Sequence, residues 1–209
     1  MAGLFITIEG GHGCGKSTIM KMLKVKLGET GLQVVTSVDQ KGTVIGRELR
    51  RINLEQGEGI AILTEALLIA AARHQNIVEI IKPALLEGKV VIGERYTDAF
   101  FAFQGFGRGL PVDLLERINV AVADEVEPKI TILLDVDPVI ALARIELKEK
   151  HRIERESIAF HKKIRAGYLE QAKKHPERIK VFDASFPPEE IFTNVWSEVS
   201  KILKGELPC

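Results

Sequence analysis

Residues Gly10-Gly11-His12-Gly13-Cys14-Gly15-Lys16-Ser17 spell a complete G-x-x-x-x-G-K-[ST] phosphate-binding loop, which constrains the fold more than any other stretch of this 209-residue chain. Such a loop works between a buried strand and the first turn of a helix, and both flanks fit. Leu4-Phe5-Ile6-Thr7-Ile8 is a short apolar run, and Ile19, Met20, Leu23 and Leu27 recur at the spacing of a helix face. Four glycines let successive backbone N–H groups curl around an anion, and a helix N-terminus adds partial positive charge. On this reading Gly10 to Thr18 bind the phosphates of ATP or GTP, Lys16 reaches the β- and γ-phosphates, and Ser17 ligates Mg²⁺.

The remainder alternates between the two secondary structures. Apolar runs at 32–38, 89–93, 130–137 and 179–183 read as strands, and the segments between them carry helical spacing. The pattern predicts an α/β fold of the phosphate-loop kinase type, a three-layer α/β/α sandwich around a five-stranded parallel sheet. With 45% hydrophobic residues and no linker-like stretch, residues 1–209 are expected to form a single domain. Gly59 to Ala72 is apolar on nearly every side, which places that helix in the interior or against another subunit. Pro83 is expected to disturb the helix that continues to Glu87, and Thr97 to Gly109 reads as a short helix running into a loop. Lys+Arg and Asp+Glu balance at 29 each, so no global positive field favours nucleic acid or an anionic membrane. No apolar run is long enough to span a bilayer, and the N-terminus lacks a basic region followed by an apolar signal core. The two cysteines, Cys14 and Cys209, suggest neither a disulfide framework nor a metal cluster, and the cytoplasm is the expected location.

Phosphoryl transfer needs cations, a magnesium-holding carboxylate and oriented amides more than covalent chemistry. Lys16, Glu94, Arg95 and Arg152 are the candidates. Glu94, at a strand end, is suited to hold Mg²⁺ or to orient an acceptor phosphate, and Arg95 beside it to grip that phosphate; an ordinary strand-end ion pair is the alternative. Glu9 ranks below these, as a carboxylate that satisfies nearby backbone donors. Asp135 and Asp137 have the spacing of a metal-binding pair, but with Pro138 following they read better as a strand exit and a helix cap. The charge-dense stretch 144–155 is open to two readings, a solvated helix laced with ion pairs or a basic lid.

Several of these stretches together resemble bacterial-type thymidylate kinases. They are Ile8-Glu9-Gly10 with the loop, Gly42-Thr43 with Gly46 and Arg50, Glu94-Arg95-Tyr96, Asp98 with Ala102 to Gly109, Leu134 to Asp137, Arg152-Ile153-Glu154, and Phe160 to Tyr168. The resemblance implies an ATP- and Mg²⁺-dependent kinase that converts a nucleoside monophosphate, typically dTMP, to the diphosphate, and that forms a homodimer through helices. It implies that Arg95 holds the acceptor phosphate, Gln104 and Arg73 contact the base, His12 faces the acceptor sugar, and Arg152 belongs to the lid. Four positions depart from the family pattern. His12 stands where an acidic residue is usual, Lys41 is the nearest cation where an arginine is expected, Ala70 to Ala72 occupy the region of a base-stacking phenylalanine, and Glu94 replaces an aspartate. The leading reading is a nucleoside monophosphate kinase; a nucleotide-binding module that has lost acceptor chemistry is the competing one.

Overall fold

Near-continuous apolar runs in the central strands, with successive side chains pointing to opposite sides, dictate a sheet buried on both faces. In the computed structural model, which describes residues 3–55, 59–145 and 152–206, the five strands are β1 (Leu4–Glu9), β2 (Val34–Val38), β3 (Val90–Glu94), β4 (Ile130–Asp135) and β5 (Ile179–Asp183). All pair in parallel, in the order β2-β3-β1-β4-β5. Ile6 and Ile8 of β1, Ile92 of β3 and Ile130 and Ile132 of β4 face one side, where they meet α1 (Lys16–Glu29) and α9 (Pro188–Glu206). Phe5 and Val91 face the other side. There α3 (Ile62–Asn76) continues through a π-helical stretch, Ile77–Ile81, into α4 (Lys82–Leu86). Leu133 meets α8 (Ile158–Lys174) on that side as well.

The remaining helices are α2 (Val44–Glu55), α5 (Thr97–Phe100), α6 (Val112–Ala123) and α7 (Pro138–Ala143), with a 3₁₀ turn at Arg152–Arg155. From β1 the chain runs to β2 and β3 on one side and then crosses to β4 on the other. The carboxyl end of β1 is therefore a topological switch point, the crevice where open parallel sheets bind ligands.

One local expectation holds and another changes. Pro83 does disturb its helix, and the disturbance takes the form of the π-helical stretch just before it, with Pro83 at the start of α4. Thr97 to Gly109 does not open into a loop at its aromatic half: α5 continues as a second π-helical stretch, Phe101–Gly107. Gln104 and Phe101 of that stretch are buried, so tertiary contacts hold a conformation that two glycines alone would not favour.

Candidate active site

The loop leaves β1 at Glu9 and enters α1 at Lys16. Gly15, at φ 96°, stands at the N-cap of α1, and no side chain caps that helix. Gly13, at φ 75°, has no room for a side chain, since an added Cβ would collide with the carbonyl oxygen of Ala141. The uncapped first turn is the arrangement that binds anions. Lys16 Nζ donates to the carbonyl of Gly11 at 2.6 Å and to that of Gly10 at 3.3 Å, which holds the ammonium over the loop. Burial, reinforced by Arg95, lowers its pKa. The Cys14 side chain is buried in the core, its Sγ 3.6 Å from Lys16 Nζ.

The end of β3 brings a carboxylate and a guanidinium to the loop. Ser17 Oγ donates to Glu94 Oε2 at 2.9 Å. Hydroxyl and carboxylate oxygens side by side are suited to Mg²⁺, which takes few protein ligands and keeps several waters. Among the described residues no cluster of three His, Cys, Asp or Glu side chains could enclose a metal, so phosphate and water oxygens would complete the shell. Arg95 takes the left-handed backbone region, φ 65°, an unusual state for a non-glycine residue that the surroundings must enforce. Its Nη1 donates to the Gly10 carbonyl at 3.2 Å and to Tyr168 Oη at 3.1 Å, and its guanidinium lies over the Phe103 ring. Tyr168 in turn donates to Glu9 Oε2 at 3.0 Å, and Glu9 Oε1 accepts the Tyr96 backbone N–H at 2.6 Å. Burial, with Asp98 nearby, raises the Glu9 pKa to about 7. Glu9 thus serves backbone and side-chain donors under the loop, as its position in the sequence suggests.

Loop residues, Glu94 and Arg95 line a cavity of about 690 Å³ together with Arg73, Gln104 and Glu65. Arg73 is fully buried between the Tyr96 and Phe100 rings and pairs with Asp39 at 2.9 Å. Glu65 Oε1 accepts from Gln104 Nε2 at 3.0 Å and from Arg108 Nε at 3.2 Å, while its Oε2 accepts from Arg152 Nη2 at 2.5 Å. Arg152 also donates to Asn53 of α2. His12 Nδ1 lies 2.8 Å from Glu154 Oε1 and its ring stands edge-on to Phe103. Burial, then Arg95, hold the His12 pKa down at about 3 against the pull of Glu154, so the imidazole is neutral and Nδ1 carries the proton that Glu154 accepts.

The structure thus gathers His12, Gly13, Lys16, Ser17, Thr18, Arg73, Glu94, Arg95 and Gln104 around one cavity. Gly10 and Gly11 face a small recess beneath it with His161 and Tyr168. Arg152 is held off by Glu65 and Asn53, which do line the cavity. The central part of the candidate lid, 146–151, and Cys209 lie outside the described residues. On α3, Ile69 lines the cavity between Glu65 and Arg73, whereas Ala70 packs in a separate cluster with Phe100, Phe101 and Leu115. The expectation that Ala70 stands beside the acceptor site is therefore not met: one residue along a helix turns the side chain by roughly 100°, from the cavity at Ile69 into the core at Ala70. Asp137 caps α7 through Val139 N, and Asp135 takes a bidentate ion pair from Arg165, so this pair is structural.

Sequence reasoning missed Asp39, Glu65 and Asn53, and left Arg50 without a role. Arg50 lines the cavity, where burial and the positive charge of Arg95 press on its own. An arginine on the helix after β2 was a signal for it, since that helix must pass the carboxyl edge. Nothing local marks Glu65, which looks like one charge in an apolar helix.

The thymidylate kinase family model matches residues 8–195. A thymidylate kinase of Symbiobacterium thermophilum is 41% identical over 96% of this chain and 94% of its own, and one of Anoxybacillus flavithermus is 38% identical over 98% and 100%. The crystal structure of thymidylate kinase from Ehrlichia chaffeensis superposes with a TM-score of 0.79 at 29% identity, covering 96% of this chain and 99% of that one. The phosphate loop, the β3 exit and the match along almost the whole length agree: the chain belongs to the thymidylate kinase family.

Proposed function

We propose that the protein transfers the γ-phosphoryl group of ATP to dTMP, giving ADP and dTDP. The observation that carries this reading is one cavity lined both by the phosphate loop and by Arg73 and Gln104, with Arg95 hydrogen-bonded to the loop itself. Such placement supplies what phosphoryl transfer requires, two anions held side by side under fixed positive charge. Lys16 and the first-turn amides of α1 bind the ATP phosphates. Arg95, with Arg50 and the exposed Lys41, binds the acceptor phosphate. Arg73 and Gln104 meet the base, His12 faces the sugar as a neutral hydrogen-bonding group, and Arg152 ties the lid segment to α3. Ser17 and Glu94 hold Mg²⁺, which when bound neutralises charge on the phosphates. The acceptor side is furnished with buried polar groups despite its departures, and nothing favours a binding module without chemistry.

We read residues 1–209 as a single kinase domain acting in the cytoplasm as a homodimer. Among the described residues no helix is long and apolar enough to cross a membrane. Leu63 and Leu67 of α3 and Val120 of α6 are exposed on helices that pack together, an apolar face suited to a second copy. Light scattering at micromolar concentration tests the dimer, with a mass near 23.2 kDa counting against it. ADP release with ATP, Mg²⁺ and a panel of nucleoside monophosphates tests the activity. The highest kcat/KM is expected for dTMP, and no release above background with any acceptor would sink the reading.

A further inference from the structure

Gln104 lines the cavity with its amide pinned on one side. The group that pins it, Glu65, accepts from two guanidiniums and is buried; its pKa lies below the usual carboxylate value, so it has no proton to give. A carboxylate that only accepts forces Gln104 to turn its NH₂ toward it. The carbonyl Oε1 of Gln104 is then the group left over, buried and without a partner. Arg73 Nε, held in place by the Asp39 ion pair and two aromatic rings, is likewise buried without a partner. Two residues that line the cavity therefore each keep one buried polar atom without a partner, an acceptor at 104 and a donor at 73.

We infer that Glu65 is a specificity-determining positioning residue, which fixes the Gln104 amide so that the site takes a 4-oxopyrimidine and rejects a 4-aminopyrimidine. This inference rests on the nucleoside monophosphate kinase reading. A base with N3–H beside a 4-oxo group offers a donor to Gln104 Oε1 and an acceptor to Arg73 Nε. Cytosine offers a bare N3 and an amino group, which leaves like facing like at both contacts. Were the amide free to rotate, its NH₂ would serve the cytosine N3 equally well, and half of the discrimination would vanish. Glu65 acts here through Gln104, deciding which face of the amide is shown.

The test compares dTMP and dCMP as acceptors for the wild type, Glu65→Gln and Glu65→Ala. A glutamine at 65 donates as well as accepts, and alanine does neither, so both free the amide. The ratio of kcat/KM for dTMP over dCMP is expected to fall about tenfold or more in each variant, the scale of one buried polar mismatch. A loss by the same factor for both acceptors, or an unchanged ratio, would show a merely structural role and overturn the inference. A second measurement needs no variant: binding of 3-methylthymidine monophosphate to the wild type, which lacks the N3 proton, is expected to be about 10–100-fold weaker than binding of dTMP. Equal binding would overturn it too. Failure of the kinase reading itself is seen separately, as absent turnover of dTMP by the wild type.

Discussion

Lys16 sits where two carbonyls and the positive end of α1 define its position, so its charge is delivered to one place. Lys16→Ala is expected to lower kcat by at least about a hundredfold while dTMP binding changes little, because the lost interaction is with charge that develops during transfer. Steady-state kinetics with calorimetry of dTMP binding check both halves. On α3, neighbouring residues meet opposite fates. Ile69 lines the cavity, and Ile69→Phe is expected to lower the KM for dTMP several-fold by adding a stacking surface, base stacking on an aromatic ring being worth about 1–3 kcal/mol. Ala70 is 3% exposed among Phe100, Phe101 and Leu115, and Ala70→Phe is expected to cost about 1–3 kcal/mol of stability through overpacking, read by urea denaturation. The reverse ranking in the two assays would show that the helix face has been misplaced.

Elements here are joined under the site by polar contacts. Asp98 of α5 takes both arms of Arg178 at 2.7 and 2.8 Å, and Thr131 of β4 receives a hydrogen bond from Arg178 and shares one with Thr7 of β1. Breaking such a pair from one side strands the other charge. Asp98→Ala is expected to destabilise the fold by about 3–5 kcal/mol. The double variant Asp98→Ala/Arg178→Met should recover much of that loss, and a double variant no more stable than the single one would refute the account. The 3₁₀ turn Arg152–Arg155 is attached in the same manner, through Arg152 to α2 and α3 and through Glu154 to His12 of the loop. Arg152 and Glu154 thus fasten this turn over the cavity.

For the whole molecule, the pH dependence of stability follows from the groups the fold forces to stay neutral. His12 keeps a pKa near 3 when folded and returns to 6.5 when unfolded. Above about pH 6.5 it is neutral in both states and adds nothing. Below that, the unfolded chain binds a proton that the native state refuses, so stability falls as pH drops toward 3, by on the order of a few kcal/mol. Glu9 runs the other way: its folded pKa of about 7 exceeds the ordinary 4.5, so the native state holds the extra proton and stability falls as pH rises from about 4.5 to 7. Replacing His12 with glutamine isolates the first effect. Between pH 6.5 and 4 the wild type is expected to lose stability relative to His12→Gln, and parallel denaturation midpoints across that range would show that the imidazole titrates normally. By itself, the sequence determined the phosphate loop, the strand–helix alternation and the cap at Asp137, because each rests on residues adjacent in the chain or on a short period. Long-range packing alone places Ile69 rather than Ala70 toward the cavity, brings Arg152 to Glu65, and lets Gln104 donate to Glu65. The two Glu65 contacts join residues 39 and 87 positions apart, and no local pattern encodes which side chains such distances bring together.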